Sequence, residues 1–231
     1  VLFIMKLDLI QISKMKKLFK NQDLLHQALT HRSWVNENSN NKGTNERLEF
    51  LGDAILEYVV SKSIYEKYPK EEEGYLTALR ANLVNTKNLS VVAEKLGLGS
   101  EILLSKGEED GGGRSNFSLL ADTVEAIIGA LYLDQGIEEV EKFIEENILV
   151  DVDKKASLPL KDPKSLLQEN VQAKNLSAPK YQVVSESGPD HNKEFTVEVV
   201  INGKPEAKGV GRSKSEAEQD AASNALKFVL K

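Results

Sequence analysis

Apolar positions in the first 150 residues recur at helical spacing almost throughout. Leu24, Leu25, Ala28 and Leu29 form one set, and Leu48, Leu51, Ile55, Leu56 and Val59 another. Each set falls on one face of a helix with 3.6 residues per turn. The same pattern predicts helices from Leu76 to Thr86, Leu89 to Leu96, Ser118 to Leu133 and Glu138 to Ile148. Gly97-Leu98-Gly99 and Gly111-Gly112-Gly113 interrupt it as loops. Residues 1–150 therefore read as an all-α domain.

The rhythm then changes. Residues 151–160 (DVDKKASLPL) are polar or small, include a proline and show no clear period, so a linker is expected. From 161 to 231 the pattern is α-β-β-β-α, an α+β module. Asp162-Pro163 supplies an N-cap acid and a proline at the first helical position, opening a helix from Lys164 to Gln172. Lys180 to Glu186 and Lys193 to Ile201 are strand-like, the second placing Phe195, Val197, Val199 and Ile201 on one face. Asn202-Gly203 is a hairpin turn into a third strand near Ala207 to Gly211. Ser213 and Glu216 form a capping box that opens a last helix, Lys214 to Leu230.

Bulk properties narrow the class. The chain has no cysteine, which removes disulfides and thiolate metal ligands and suits a reducing compartment. No apolar stretch approaches the roughly 18 residues of a membrane span. The apolar start is broken by Lys6 and Asp8 and followed by no small-residue cleavage site. A soluble, cytoplasmic protein without a membrane partner is expected. The net charge of −6 opposes bulk polyanion binding, but it is uneven. From Lys161 onward there are 11 Lys+Arg against 10 Asp+Glu, leaving 19 of the 30 basic and 26 of the 36 acidic residues in the remainder. An acidic body with a near-neutral tail domain fits acids that hold cations, with any polyanion contacted locally.

The richest run is Asn45 to Ala54 (NERLEFLGDA). Glu46, Glu49 and Asp53 are spaced i, i+3 and i+7 and share one helical face. Like charges stacked this way repel, and no basic residue at the right offset relieves all three. Apolar flanks (Leu48, Phe50, Leu51, Ile55, Leu56) predict a substantially buried helix. A second pair, Asp122 and Glu125, lies at i, i+3 among Leu119, Leu120, Val124, Ile127 and Ile128. One reading is solvated helix faces. The other is an oxygen-only ligand set suited to Mg²⁺ or Mn²⁺ and to phosphodiester hydrolysis. Spacing alone leaves both open.

NERLEFLGDA resembles the signature of the ribonuclease III family, and Leu120 to Ala126 (LADTVEA) resembles its second acidic motif. His31-Arg32-Ser33 and Gly112-Gly113-Arg114 also fit. The resemblance covers nearly the whole chain, in the order of bacterial members: a ribonuclease III catalytic domain, a linker, and a double-stranded RNA-binding domain. It implies a homodimeric endoribonuclease that hydrolyses double-stranded RNA with Mg²⁺, Mn²⁺ substituting. Products would carry 5′-phosphates, 3′-hydroxyls and short 3′ overhangs, and substrates would include ribosomal RNA precursors and structured messengers. Carried over, it makes Glu49, Asp53, Asp122 and Glu125 the metal-centred acids, with Asp53 and Glu125 the most critical. Glu46 becomes a supporting catalytic acid, Glu73 an acid that approaches the partner subunit's site, and Phe50 an aromatic dimer contact.

The tail module resembles a double-stranded RNA-binding domain, which reads A-form shape through 2′-hydroxyls and phosphates. Gln168 and Gln172 on the first helix and His191 in the loop 188–192 would reach minor grooves. Arg212, Ser213 and Lys214 would meet phosphates at the start of the last helix. The chain departs from the family there: positions 215 and 218 are Ser and Glu where lysines are usual. A modest, steeply salt-dependent affinity is expected. Two rival readings differ in class. One is a non-catalytic RNA-binding protein, which would lack acids that are all present here. The other is a hydrolase of small phosphoesters, which duplex RNA would fail to inhibit.

Overall fold

A computed structural model describes residues 15–38, 43–189 and 193–229. It divides the chain into two units, Val1–Leu158 and Pro159–Lys231.

The first unit is built around two long helices. The helices are α1 (Gln22–Ala28), α2 (Arg32–Glu37), α3 (Glu46–Lys67), α4 (Glu73–Val84), α5 (Thr86–Lys95), α6 (Lys106–Asp110), α7 (Phe117–Gln135), α8 (Ile137–Asn147) and α9 (Val152–Ala156). Polar side chains start several of them by accepting otherwise unpaired amides. Asn85 accepts from Asn88 N, and Asn116 from Ser118 N and Leu119 N. Helix α7 is apolar nearly all round and runs through the core, with Val124, Ala126, Ile127, Ile128 and Ala130 fully buried. Leu56 and Val60 of α3, Leu79 and Leu83 of α4 and Ile144 of α8 are buried as completely.

The predicted glycine loops contain short 3-10 turns, Leu98–Ser100 and Gly113–Ser115. One parallel bridge, Thr30 to Leu103, lies outside any sheet.

Residues 151–158 differ from the expected linker and belong to the first unit. Helix α9 buries Val152, and Asp153 accepts from Lys67 Nζ at 2.7 Å and Tyr68 OH at 2.9 Å. The Tyr75 hydroxyl donates to Ala156 O at 3.1 Å. A five-residue helix anchored by one apolar side chain has no period to detect, so the sequence pattern could not reveal it.

The second unit comprises α10 (Pro163–Ala173), β1 (Lys180–Ser187), β2 (Glu194–Ile201), β3 (Lys204–Gly211) and α11 (Lys214–Val229). Its sheet is antiparallel in the order β1-β2-β3. Asn202 and Gly203 both have positive φ (50° and 77°), as a two-residue hairpin turn of this hand requires. Strand β3 begins directly after that turn, earlier than the apolar pattern suggested. Pro205 is tolerated there because β3 is an edge strand, and a bulge at Val199/Val200 absorbs the irregularity. Leu167 and Val171 of α10, Val197, Val199 and Ile201 of β2, and Ala217, Ala221, Ala222 and Ala225 of α11 form the core. Phe195 is only half-buried at its edge.

Candidate functional site

Helix α3 carries Glu46, Glu49 and Asp53, and α7 carries Asp122 and Glu125. These helices meet at two glycines. A Cβ on Gly52 would stand 1.7 Å from the Glu125 carbonyl oxygen, and one on Gly129 2.1 Å from that of Leu48. Only backbones without side chains approach so closely. Glu49 lies three residues before Gly52 and Glu125 four before Gly129, so the crossing itself turns their carboxylates toward each other.

The outcome is a trio. Glu49, Asp122 and Glu125 each offer a carboxylate oxygen, and these oxygens lie within 4.8 Å of one another. All three side chains are half-buried. Asp53 and Glu46 are exposed and stand outside the trio. Glu46 accepts from Thr44 Oγ1 at 2.9 Å and lies 3.8 Å from Arg32 Nη1, so its cation comes from a neighbouring helix.

The electrostatics follow from crowding acids in a partly dry place. Burial pushes the Glu125 carboxyl up to about 8, helped by the charges of Asp53, Asp122 and Glu49. Burial raises Glu49 too, with Asp122, Glu46 and Asp53 adding to it. Asp122 is raised by burial and partly relieved by His31. Among the described residues none of the trio forms an ion pair; Arg32 goes to Glu46 and Arg80 to Glu57. Oxygen donors this close, with excess negative charge and no protein cation, fit a hard divalent cation.

A pocket of about 500 Å³ opens beside the trio, lined by Glu46, Glu49, Asp122 and Glu108 together with His31, Arg32 and Asn116. His31 caps α2, its Nδ1 accepting from Ser33 N at 3.3 Å and lying 2.8 Å from Ser33 Oγ. Burial lowers the His31 pKa, against the opposing charge of Glu108.

The remaining residues singled out in the sequence lie elsewhere. Phe50, expected to flank a buried helix, is 82% exposed. It shares α3 with exposed Tyr58 and Tyr65. Glu73 is exposed at the start of α4, accepts from Thr77 Oγ1 at 3.1 Å, and lines a different pocket with Tyr58, Tyr65, Leu76 and Arg80.

In the second unit Gln168, Gln172, Arg212, Ser213 and Lys214 are all exposed. Ser213 Oγ accepts from Glu216 N at 3.1 Å while Glu216 accepts from Arg212 N at 2.9 Å, a closed capping box. Lys214 Nζ lies 3.6 Å from Glu186 and 5.7 Å from the Phe195 ring centroid. His191 lies outside the described residues.

Sequence reasoning missed the two glycines. Their signal was available: a helix-interior glycine costs about 1 kcal/mol against alanine, so one that persists in an apolar helix marks a close approach.

Residues 21–152 match the family model described as ribonuclease-III-like, and residues 163–229 the double-stranded RNA binding motif. A protein named ribonuclease 3 from Geobacillus kaustophilus is 49% identical over 91% of this chain and 86% of its own length. Another of that name, from Natranaerobius thermophilus, is 44% identical over 97% of each chain. Among solved structures, the nuclease domain of a Campylobacter jejuni ribonuclease III, described for flexibility in its dimer-forming region, superposes with a TM-score of 0.55 at 43% identity. That match covers 60% of this chain and 96% of the other.

Proposed function

The chain belongs to the ribonuclease III family, and from that premise we propose that it cuts double-stranded RNA as a homodimer by divalent-metal-dependent phosphodiester hydrolysis. The carrying observation is the oxygen-only trio of Glu49, Asp122 and Glu125 at the α3–α7 crossing.

The trio would hold the cation, Mg²⁺ or in its place Mn²⁺. When bound, it supplies positive charge to the reacting phosphate and to the departing oxygen. Asp53, exposed beside the trio, takes the proton of the attacking water. That water forms the new P–O bond and the bond to the 3′-oxygen breaks, the departing oxygen taking a proton from solvent, which leaves a 5′-phosphate on one fragment and a 3′-hydroxyl on the other. Glu46, anchored by Thr44 and Arg32, holds the start of α3 against the site. Phe50 contacts the partner subunit, and Glu73 approaches the partner's acids.

The second unit brings the duplex through Gln168, Gln172, His191, Arg212, Ser213 and Lys214. Cuts on the two strands are offset, giving short 3′ overhangs, and precursors of ribosomal RNA and structured messengers in the cytoplasm are the natural substrates. No helix of the described residues is long and apolar enough to cross a membrane.

The test incubates the protein with a long RNA duplex, with and without Mg²⁺, beside Asp53→Asn and Glu125→Gln. Cutting that needs Mg²⁺ and is lost in both variants while gel-shift binding persists is the expected result. Binding without cutting under Mg²⁺ or Mn²⁺ would overturn the enzyme reading and leave an RNA-binding protein.

A further inference from the structure

The pocket beside the trio has lining residues to which the proposed mechanism gives no role. Its acids, Glu46, Glu49, Glu108 and Asp122, repel an RNA strand wherever no cation lies between. A strand seated there needs donors among the lining residues, and His31 is one of them.

The structure holds His31 with unusual completeness. Thr30, fully buried, donates through Oγ1 to His26 O at 2.7 Å, and its carbonyl accepts from Asn45 N at 2.9 Å. His31 N donates to Leu103 O at 3.1 Å. The ring is fixed through Nδ1, which accepts from Ser33 N, and Ser33 Oγ is itself fixed by accepting from Ser105 N at 3.0 Å. The Ser33 N–H directed at Nδ1 calls for an unprotonated nitrogen there, and Ser33 Oγ lies 2.8 Å from the same atom. With Nδ1 an acceptor, the ring proton sits on Nε2, at the end of the imidazole remote from Ser33. Capping a six-residue helix needs only the Nδ1 end. His31 lines, together with Glu108, a pocket of about 500 Å³, within the size range that accommodates a small ligand or a nucleotide unit, and the Nε2–H is the donor that the cap leaves unused. Arg32, the neighbouring cation, is already 3.8 Å from Glu46.

We infer that His31 is a substrate-contacting residue whose Nε2–H donates to a non-bridging phosphate oxygen of the RNA strand lying at the acid trio. The inference rests on the proposed nuclease reading and adds a contact on the protein side.

Two isosteric variants separate this role from simple helix capping. Asparagine places a side-chain acceptor where Nδ1 sits and keeps the cap, but has nothing at Nε2. Glutamine places an N–H near Nε2 and gives up the cap. His31→Asn should melt like wild type yet lose about tenfold in kcat/KM on duplex RNA, the scale of one hydrogen bond to a charged acceptor. His31→Gln should melt about 3 °C lower and recover the rate to within about threefold of wild type. Binding provides a readout independent of turnover: in a Glu125→Gln background, His31→Asn should weaken duplex affinity measured by fluorescence anisotropy. Cutting by His31→Asn at the wild-type rate, or an equal loss in both variants that follows their melting temperatures, would overturn the inference and leave His31 a cap. Failure of wild type itself to cut under Mg²⁺ would instead remove the nuclease reading on which it rests.

Discussion

The two units handle charge in opposite ways. At the α3–α7 crossing, the three acids of the trio are forced together in a half-buried site and receive no ion pair among the described residues. In the second unit, cations stand in solvent and lie beside acids of their own unit: Lys214 near Glu186 and Lys208 near Glu198. The first arrangement is costly because like charges at low dielectric repel strongly, and only tight packing maintains it. The second is cheap, since exposed pairs contribute about 0–1 kcal/mol each. A site that awaits a small, dense cation has to be rigid and underneutralised. A surface that meets a long polyanion only needs pairs weak enough to exchange partners.

The largest expected effect strikes the packing that holds the acids together. Gly129→Ala puts a methyl group 2.1 Å from the Leu48 carbonyl oxygen, and neither backbone can yield without parting the helices. A loss of about 4 kcal/mol or more is expected, seen as a melting temperature roughly 10 °C lower, with cutting lost as well. Gly74→Ala is the control: it lies inside α4 with nothing within 4 Å of an added Cβ, so it should be neutral or slightly stabilising. Equal melting of the two variants would mean that the crossing does not hold the site.

Helical spacing made the five acids legible, because i, i+3 and i+7 fix a shared face whatever surrounds it. It did not decide which oxygens converge. Glu49, Asp122 and Glu125 do, while Asp53 stands exposed at the rim. That difference depends on how α3 and α7 cross, which two glycines determine and no periodicity expresses. Phe50 shows the same limit. Its apolar neighbours suggest burial, yet it points away from the α3–α7 core. In the second unit the α-β-β-β-α order was readable because Asp162-Pro163, Asn202-Gly203 and the Ser213/Glu216 box are local devices whose chemistry is complete within a few residues. The ion pairs of that unit were not readable, since Glu186 and Lys214 meet only once the sheet has formed.

A middle-sized effect is expected from protons. The Glu125 carboxyl titrates near 8 in the folded protein against an ordinary 4.5, and Glu49 and Asp122 are shifted the same way. Between these limits the folded chain keeps a proton that the unfolded chain releases, so stability falls as pH rises through that window. In EDTA the protein should therefore melt higher at about pH 5.5 than at about pH 8. Glu125→Gln should flatten this slope, and Mg²⁺ should offset the loss at the higher pH because it binds only the folded arrangement. A slope unchanged by Glu125→Gln would place the titrating group elsewhere and weaken the contrast between the two units.

The smallest effect tests whether the surface cations of the second unit can be released for RNA. Glu186 lies 3.6 Å from Lys214 Nζ and 3.7 Å from Lys193 Nζ, so one carboxylate draws on two lysines. Glu186→Gln keeps the strand and removes the competing charge. Duplex RNA should then bind about two- to fivefold tighter at low salt, with the gain fading toward about 0.3 M salt. Lys214→Ala should do the reverse, weakening binding to any duplex sequence and lowering the slope of log K against log salt by about 1. Both variants should melt within about 1 °C of wild type, since exposed pairs contribute little to folding. If Glu186→Gln leaves affinity unchanged at every salt concentration while Lys214→Ala also has no effect, the start of α11 is not a phosphate contact, and the closed capping box of Ser213 and Glu216 is that segment's whole purpose.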